Sequence, residues 1–476
     1  MRRAGRFGLI VSGVVGVGAL SAGAAYAQDA TADGAPPSAT RPIIKTNRWQ
    51  ENWSALADSA LRTEPLDRLK YLPLSKSNPH AYVSLGATLR ERVETNDAPQ
   101  FGVGSSRGDS WLSQRLQVHA DAHLGDQWEV FTQLEDVRAL GKRSIGGADQ
   151  NRLDLRLAFV TYSRAFTNGT FKARVGRQDF ATDLQRFISS RDGPAVRQSF
   201  DAVWADWETG PWRFIGFVSH PVQYDDAKPF DDSSSGNVQF STLRVERHVQ
   251  GQNELSAYYA RYQRTQARYG DATGSEDRDV FDVRYAGTRN ALDWDLEGMD
   301  QRGSVGGGTI RAWALGARAG YTLSNHAWTP RLGVQADAAS GDKRAGDGTL
   351  GTFNPLFPNG YYFSLAGYNG YANLIHLKPS LAVKPVARLT VTSAAAAQWR
   401  QTTADAIYTQ PNLALAGTAG RPGRWSGAYG QLRADYVFTR NLTGALEVVH
   451  YEIGQAIRNA GGHDSDYLGL ELKFGW

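Results

Sequence analysis

The feature that most constrains this chain is a rhythm that runs from about residue 81 to residue 476. Segments alternating apolar and polar side chains are joined by connections that are short, then long, then short. The short ones fall at 125–126 (Gly-Asp), 165–169, 209–211 (Thr-Gly-Pro), 250–252, 289–290 (Arg-Asn), 325–326 (Asn-His), 384–385 (Lys-Pro) and 440–441 (Arg-Asn). Residues of these types tolerate or pre-set turn dihedrals. Between them lie long polar stretches at 140–151, 179–198, 220–237 and 341–370. Short turns at one end and long loops at the other are the pattern of a membrane-spanning β-barrel. A soluble sandwich has no reason to gather its long loops at one end.

The alternation itself assigns faces, because successive strand side chains point to opposite sides. In 81–95, Val83, Leu85, Ala87, Leu89 and Val93 share one face, and Ser84, Thr88, Arg90, Arg92 and Glu94 share the other. In 112–124, Leu116, Val118, Ala120, Ala122 and Leu124 oppose Arg115, Gln117, His119, Asp121 and His123. The pattern falters around 442–453, where Leu446 and Val448 share a face but Val449, Tyr451 and Ile453 take the other. A β-bulge would explain the change. The reading is an all-β, antiparallel transmembrane barrel of about 18 strands, with about 16 as the alternative, short periplasmic turns and long extracellular loops. Roughly 22 residues per strand plus connection suit strands of about 9–11 spanning residues.

Composition agrees. Past the N-terminus no run of 18 apolar residues occurs, so helical spans are not predicted, while a barrel needs apolar residues only at every second position. Residues 1–27 read as a secretory signal peptide: a basic start, an apolar stretch, then Ala25-Tyr26-Ala27. Without Arg2, Arg3 and Arg6 the formal charge of +4 falls to +1, which does not argue for nucleic acid. Residues 28–80 read as a periplasmic leader. Within it Trp49, Trp53, Leu56 and Ala60 fall on one helical face, predicting a short helix before Pro65. Residues 81–476 are the barrel.

The last strand is the cleanest. Leu468, Leu470, Leu472, Phe474 and Trp476 face out; Glu471 and Lys473 face in. A terminal alternating strand ending in an aromatic residue resembles the signal read by the bacterial outer-membrane assembly machinery. Four further stretches resemble the alginate export family of outer-membrane channels. They are Asn52-Trp53 with Asp67-Arg68-Leu69-Lys70-Tyr71-Leu72-Pro73-Leu74; Leu89-Arg90-Glu91-Arg92-Val93-Glu94; Gly176-Arg177-Gln178 with Ser190-Arg191-Asp192 and Ser199-Phe200-Asp201; and Phe353-Asn354-Pro355-Leu356-Phe357-Pro358 with Gly360-Tyr361 and Asn373-Leu374. The resemblance implies an 18-stranded, outer-membrane channel passing polysaccharide, in the type member a polyuronate.

Passage of a polyanion needs a wet pore with cations along it. Alternation and the loop 179–198 nominate Arg90, Arg92, Arg115, Arg156, Arg174, Arg191, Asp192, Arg197, Arg244, Arg284, Arg318, Arg400 and Arg433 as pore-lining, with Lys172, Lys378, Lys473, Arg331 and Arg388 on the same face. Acids share that face, including Glu94, Asp121, Glu129, Glu135, Asp154, Glu246, Asp282, Asp295, Glu297, Asp337 and Glu471, so many arginines are expected to pair across strands. The Arg-rich loop 179–198, with its Gly193-Pro194 turn, is expected to fold inward, and the aromatic stretch 355–362 to fold onto the rim. His119, Asp121 and His123 have metal-capable donors, but their strand spacing does not predict a zinc site. No nucleophile–histidine motif occurs, so an enzyme is not predicted, nor any cofactor. The expectation is a monomeric outer-membrane channel in lipid for passive passage of an acidic polysaccharide or oligosaccharide. The alternative is a general or small-solute porin for sugars, oligouronates or organic acids. The resemblance leaves room for a periplasmic secretion partner.

Overall fold

The computed structural model describes residues 40–104, 107–250, 253–270 and 272–476; the expected signal peptide and the start of the leader lie outside the described residues. Eighteen long strands follow one another: β1 Ala81–Asn96, β2 Asp109–Leu124, β3 Trp128–Leu140, β4 Asn151–Phe166, β5 Gly169–Gln178, β6 Phe200–Thr209, β7 Trp212–Gln223, β8 Val238–Gln250, β9 Asn253–Arg268, β10 Thr273–Arg289, β11 Leu292–Val305, β12 Gly308–Thr322, β13 Arg331–Ala339, β14 Leu374–Val386, β15 Leu389–Trp399, β16 Trp425–Val437, β17 Leu442–Ile453 and β18 Ser465–Gly475. Each pairs antiparallel with the next. β18 pairs back onto β1, from Thr88↔Gly475 to Asn96↔Tyr467, so the sheet closes. Closure leaves no unpaired strand edge facing lipid.

The outward apolar face is broad. Val93, Val118, Val203, Leu243, Val283, Leu315, Leu332 and Leu470 are all exposed on it. Left in water, each such side chain forgoes about 1.5–3 kcal/mol of burial; lipid removes that cost. Trp128, Phe166, Trp212, Tyr285, Tyr321, Tyr436, Phe438 and Phe474 gather where the strands meet the short turns, the placement of an interfacial aromatic girdle.

Several expectations need correction. Lys384 and Pro385 lie inside β14, and the turn comes after them, at 387–388, so Arg388 sits in a turn and donates to the Phe438 carbonyl instead of facing the lumen. Two outer connections, 269–272 and 306–307, are as short as the periplasmic ones. β17 has no bulge: its ladders run unbroken from Gly427↔Ile453 to Val437↔Thr443 and from Leu442↔Phe474 to Tyr451↔Ser465. Val449, Tyr451 and Ile453 do face inward, and the barrel interior there is apolar. Phe101, Leu365, Tyr368, Ile407, Leu415 and Ile457, all from the outer loops, pack on them.

Among its described residues the leader contains no continuous helix. Three 3-10 turns (Arg48–Gln50, Ser54–Ala57, Ser59–Leu61) precede a one-turn helix, α1 (Asp67–Lys70). Ala60 is exposed, so the predicted stripe does not form. The segment around 47–56 lies inside the periplasmic end of the barrel, where walls surround it on more than one side. Trp53 and Leu56 pack with Tyr71 and Tyr82, while Trp49 packs on Phe131, Leu157 and Phe159. Short turns let neighbouring tryptophans reach different walls, which one helical face cannot do.

Candidate functional site

The chain after β5 does not continue outward. Residues 179–199 turn into the lumen and cross it. Phe180 stacks on Phe217 at 4.1 Å and beside Phe200, which fixes the inward bend. Asp179 accepts from Arg156 of β4 at 2.6 Å. Asp183 lies between Arg244 of β8 at 2.7 Å and Arg284 of β10 at 2.9 Å. Arg186, wholly buried, reaches Asp295 of β11 at 2.7 Å and also pairs with Glu297. The loop then returns to the opposite wall. Arg90 of β1 donates to the Asp192 and Pro194 carbonyls at 2.8 and 3.2 Å, and Arg115 of β2 pairs with the Asp192 carboxylate at 2.7 Å. Polar groups taken from water keep their place only when paired, and each of these is.

A second loop, 340–373, packs on the first. Phe187 stacks on Tyr371 at 5.2 Å, and the Phe357 amide donates to the Phe187 carbonyl. Phe353, Phe357, Tyr362 and Tyr371 share one buried core with Phe217, Phe240, Val280 and Met299 of the strands. The stretch 355–362, expected at the rim, is thus inside the barrel. The Tyr362 hydroxyl donates to Asp337 at 2.7 Å, and its carbonyl accepts from Arg318 at 3.3 Å. Lys378 donates to the Phe363 carbonyl at 2.5 Å. The interior therefore has two tiers: an apolar tier of strand and loop side chains toward the outer end, and a charged tier toward the periplasmic end.

The nominated arginines divide by partner. Arg92 pairs with Glu447 at 2.5 Å and lies over the Tyr361 ring. Arg433 pairs with Asp435 and Glu447. Arg156, Arg244 and Arg284 hold the inward loop as described. Arg197, in the loop, reaches Asp179, Asp192, Ser190 and Asn47. Among the described residues Arg174 has no carboxylate within ion-pair distance; it donates to the Thr161 hydroxyl at 3.3 Å, and its guanidinium lies 3.9 Å from the Trp49 ring and 4.4 Å from that of Phe159. Arg318 likewise has no carboxylate among the described residues; it meets Gln335, the Tyr362 carbonyl and the Tyr362 ring. Among the described residues the Arg191 guanidinium has no hydrogen-bond or ion-pair partner. Arg400 is not on the wall. It lies just beyond β15 and donates to the carbonyls of Thr418, Arg421 and Gly423, pinning the loop 400–424.

The electrostatics converge on Asp192. Burial alone would raise its carboxyl, but Arg115, Arg197, Lys473 and Arg90 hold it well below the usual carboxylate range. Burial opposes ionisation of Asp179 too, and Arg156 and Arg197 outweigh it. His119, Asp121 and His123 do not converge on a metal: His119 stacks on Phe131 and His123 bonds Asp121 at 3.1 Å. The one acidic triplet within mutual ligand range among the described residues is Asp154, Asp231 and Asp232. Asp183 and Trp49 were not nominated from the sequence, and Arg186 was read only as one of the arginines of the inward loop. Phe180, Leu184 and Phe187 interleaved with Asp183 and Arg186 were the available signal, since a solvated loop has no need of them.

A closed barrel with a girdle, long loops turned inward and a charged crossing point is an outer-membrane channel. Solved structures carry the same fold. OccAB1 of Acinetobacter baumannii matches with a TM-score of 0.58 and 12% identity over 86% of this chain and 99% of its own. Pseudomonas aeruginosa OccK11 matches with a TM-score of 0.53 and 13% identity over 83% and 95%. At such identity the likeness is one of fold. No curated protein sequence matches the chain. The sequence matches the family described as Alginate export over residues 81–471, and the chain belongs to that family.

Proposed function

We propose that this outer-membrane channel passes an acidic polysaccharide or oligosaccharide passively, and that its arginines guide the solute through the lumen. The observation that carries the reading is the crossing point. Four cations, Arg90, Arg115, Arg197 and Lys473, surround the carboxylate of Asp192, with Glu471 3.9 Å from Arg90 and Asp179 3.4 Å from Arg197 as their other acids, and among the described residues the Arg191 guanidinium on the same loop has no partner. Cations held on rigid strands attract a passing carboxylate without reorganising, and they exchange it readily because Asp192 already shares them. Arg174 and Arg318 extend the row of cations that lack a carboxylate of their own. Family membership supports the substrate class.

One observation favours a second reading, a porin for small anionic solutes. The two inward loops bury an aromatic core inside the barrel, which leaves less room for a polymer than for an oligouronate or organic acid. Single-channel conductance of the purified barrel in a planar bilayer separates the two. Anion-selective current blocked by polyuronate, and not by a neutral glycan, is the expected result. Weakly selective current that ignores polyuronate and is carried by small organic anions leaves the porin.

A further inference from the structure

The segment 47–71 occupies the periplasmic mouth, yet it is attached differently from everything else in the lumen. Its ion pairs are internal: Arg48 with Glu51 at 2.7 Å, and Asp67 with Arg41 of the same leader at 2.6 Å. Among the described residues no ion pair joins it to the barrel. Its anchors are hydrogen bonds and ring contacts, most of them to neutral groups, with Trp49 on the Asp179 carboxylate and Asn47 on the Arg197 guanidinium as the two that meet a charge. Arg48 donates to the carbonyls of Ala87 and Trp476 at 3.1 and 2.5 Å and to the Thr88 hydroxyl at 3.0 Å. The Trp53 amide donates to the Tyr82 hydroxyl at 3.0 Å.

The tip of the segment sits on the charge network. Trp49 covers the Arg174 guanidinium and donates from its indole to Asp179 at 3.0 Å. Asn47 accepts from Arg197 at 2.9 Å. Arg174 is thus covered by an uncharged ring, and Arg197, already shared with Asp179 and Asp192, also donates to a neutral amide oxygen; a further carboxylate would outcompete both neutral contacts, because charge-assisted hydrogen bonds are stronger than those to neutral partners. The leader is also basic: residues 40–80 carry seven Lys and Arg (Arg41, Lys45, Arg48, Arg62, Arg68, Lys70, Lys76) against four acids (Glu51, Asp58, Glu64, Asp67), a balance of +3. An anionic chain arriving from the periplasm meets that surface first. Buried polar atoms without hydrogen-bond partners occur on both sides of the contact, at Lys70 Nζ in the segment and at Ser84 Oγ, Asp121 Oδ1 and Glu129 Oε1 on the wall. Such a contact does not hold the segment down.

We infer that residues 47–71 are a displaceable plug of the periplasmic mouth, released when an anionic chain takes Arg174 and Arg197 from Trp49 and Asn47. The inference rests on the channel reading above and supplies its regulation.

The chain has no cysteine, so Thr88→Cys places a single thiol beneath Arg48. In the folded channel this thiol is expected to react slowly with a membrane-impermeant maleimide. Arg48→Ala with Trp49→Ala is expected to speed that reaction about tenfold and to raise the salt conductance about twofold. Added polyuronate is expected to speed labelling of Thr88→Cys in the otherwise natural chain, and neutral glycan is not. Heat-modifiable gel migration reports whether each barrel is folded; where the double variant is not, Trp49→Leu keeps the Arg48 anchors and takes its place. Unchanged labelling and conductance in the variant overturn the plug. Release by the variant but not by polyuronate overturns the anionic trigger. Whether polyuronate blocks current through the already released variant tests the channel reading separately.

Discussion

Two bodies occupy the lumen, and they are held by different chemistry. The loop 179–199 is riveted by ion pairs to walls on both sides, through Asp179, Asp183, Arg186 and Asp192. The segment 47–71 makes no ion pair to the wall among the described residues and rests on carbonyls, hydroxyls and rings, with single hydrogen bonds to Asp179 and from Arg197. Breaking a buried ion pair leaves an uncompensated charge and costs about 3–5 kcal/mol. A neutral hydrogen bond is exchanged for water at about 0.5–1.5 kcal/mol. The loop is thus part of the channel's fixed shape, while the segment is a body that can leave. Both fill space; only one is built to stay.

The largest effects should come from the rivets. Asp183→Ala strips Arg244 and Arg284 of a shared partner, leaving Glu246 and Glu254 on Arg244 and Asp295 and Glu254 on Arg284, and should lower barrel stability by about 1.5–3 kcal/mol, read as an earlier loss of heat-modifiable migration. Protection of a Thr88→Cys thiol should survive, because Asp183 does not touch the plug. Asp179→Ala should cost as much, and it should also expose that thiol, since Arg156, Arg197 and Trp49 all lean on Asp179. Equal exposure in the two variants would erase the distinction between rivet and latch.

Next in size is selectivity. Arg115→Ala with Arg90→Ala removes two of the four cations facing Asp192 and should lower the anion-to-cation permeability ratio several-fold, measured as a shift in reversal potential. A ratio that does not move would place the selective point elsewhere.

A pH effect should follow from Lys70. Burial pulls its ammonium down to about 7, with Arg48 and Arg41 adding to the fall and Glu51 and Asp121 opposing it. Release returns Lys70 to its ordinary value near 10.4, so the seated plug binds fewer protons than the released one between those limits. Seating should strengthen as pH rises from about 7 toward 10 and should flatten below 7. Open probability in the bilayer reads this, and Lys70→Met should remove the slope. The smallest change is Trp49→Leu. It gives up a stack on Arg174 worth about 1–2 kcal/mol and should raise the frequency of brief openings without altering selectivity.

Much of this was legible in the period-two pattern. Alternation around Leu116, Val118 and Arg115, or Leu470 and Glu471, assigns the side of the wall correctly, and the turn spacing leads to the strand count. The same pattern does not report what fills the inside. Val449, Tyr451 and Ile453 looked like a register error because a wet lumen was assumed, whereas outer loops bring their own apolar side chains to meet them. Trp49 and Trp53 suggested a helix because helical spacing presumes one packed face, and the barrel mouth provides several. Arg90 and Arg244 carry the same alternation signal, yet one faces loop carbonyls and the other a loop carboxylate. That difference belongs to tertiary placement of residues a hundred positions away, which no local period encodes.

The contact between Arg48 and the Trp476 carbonyl also orders events in time. Its acceptors belong to β1 and to the residue just after β18, two places that become neighbours only when the barrel closes. Until then the landing site of the segment does not exist. Residues that are translated before any strand must therefore wait, unseated, through the making and joining of all the strands, and the mouth is stoppered only after the wall around it is complete.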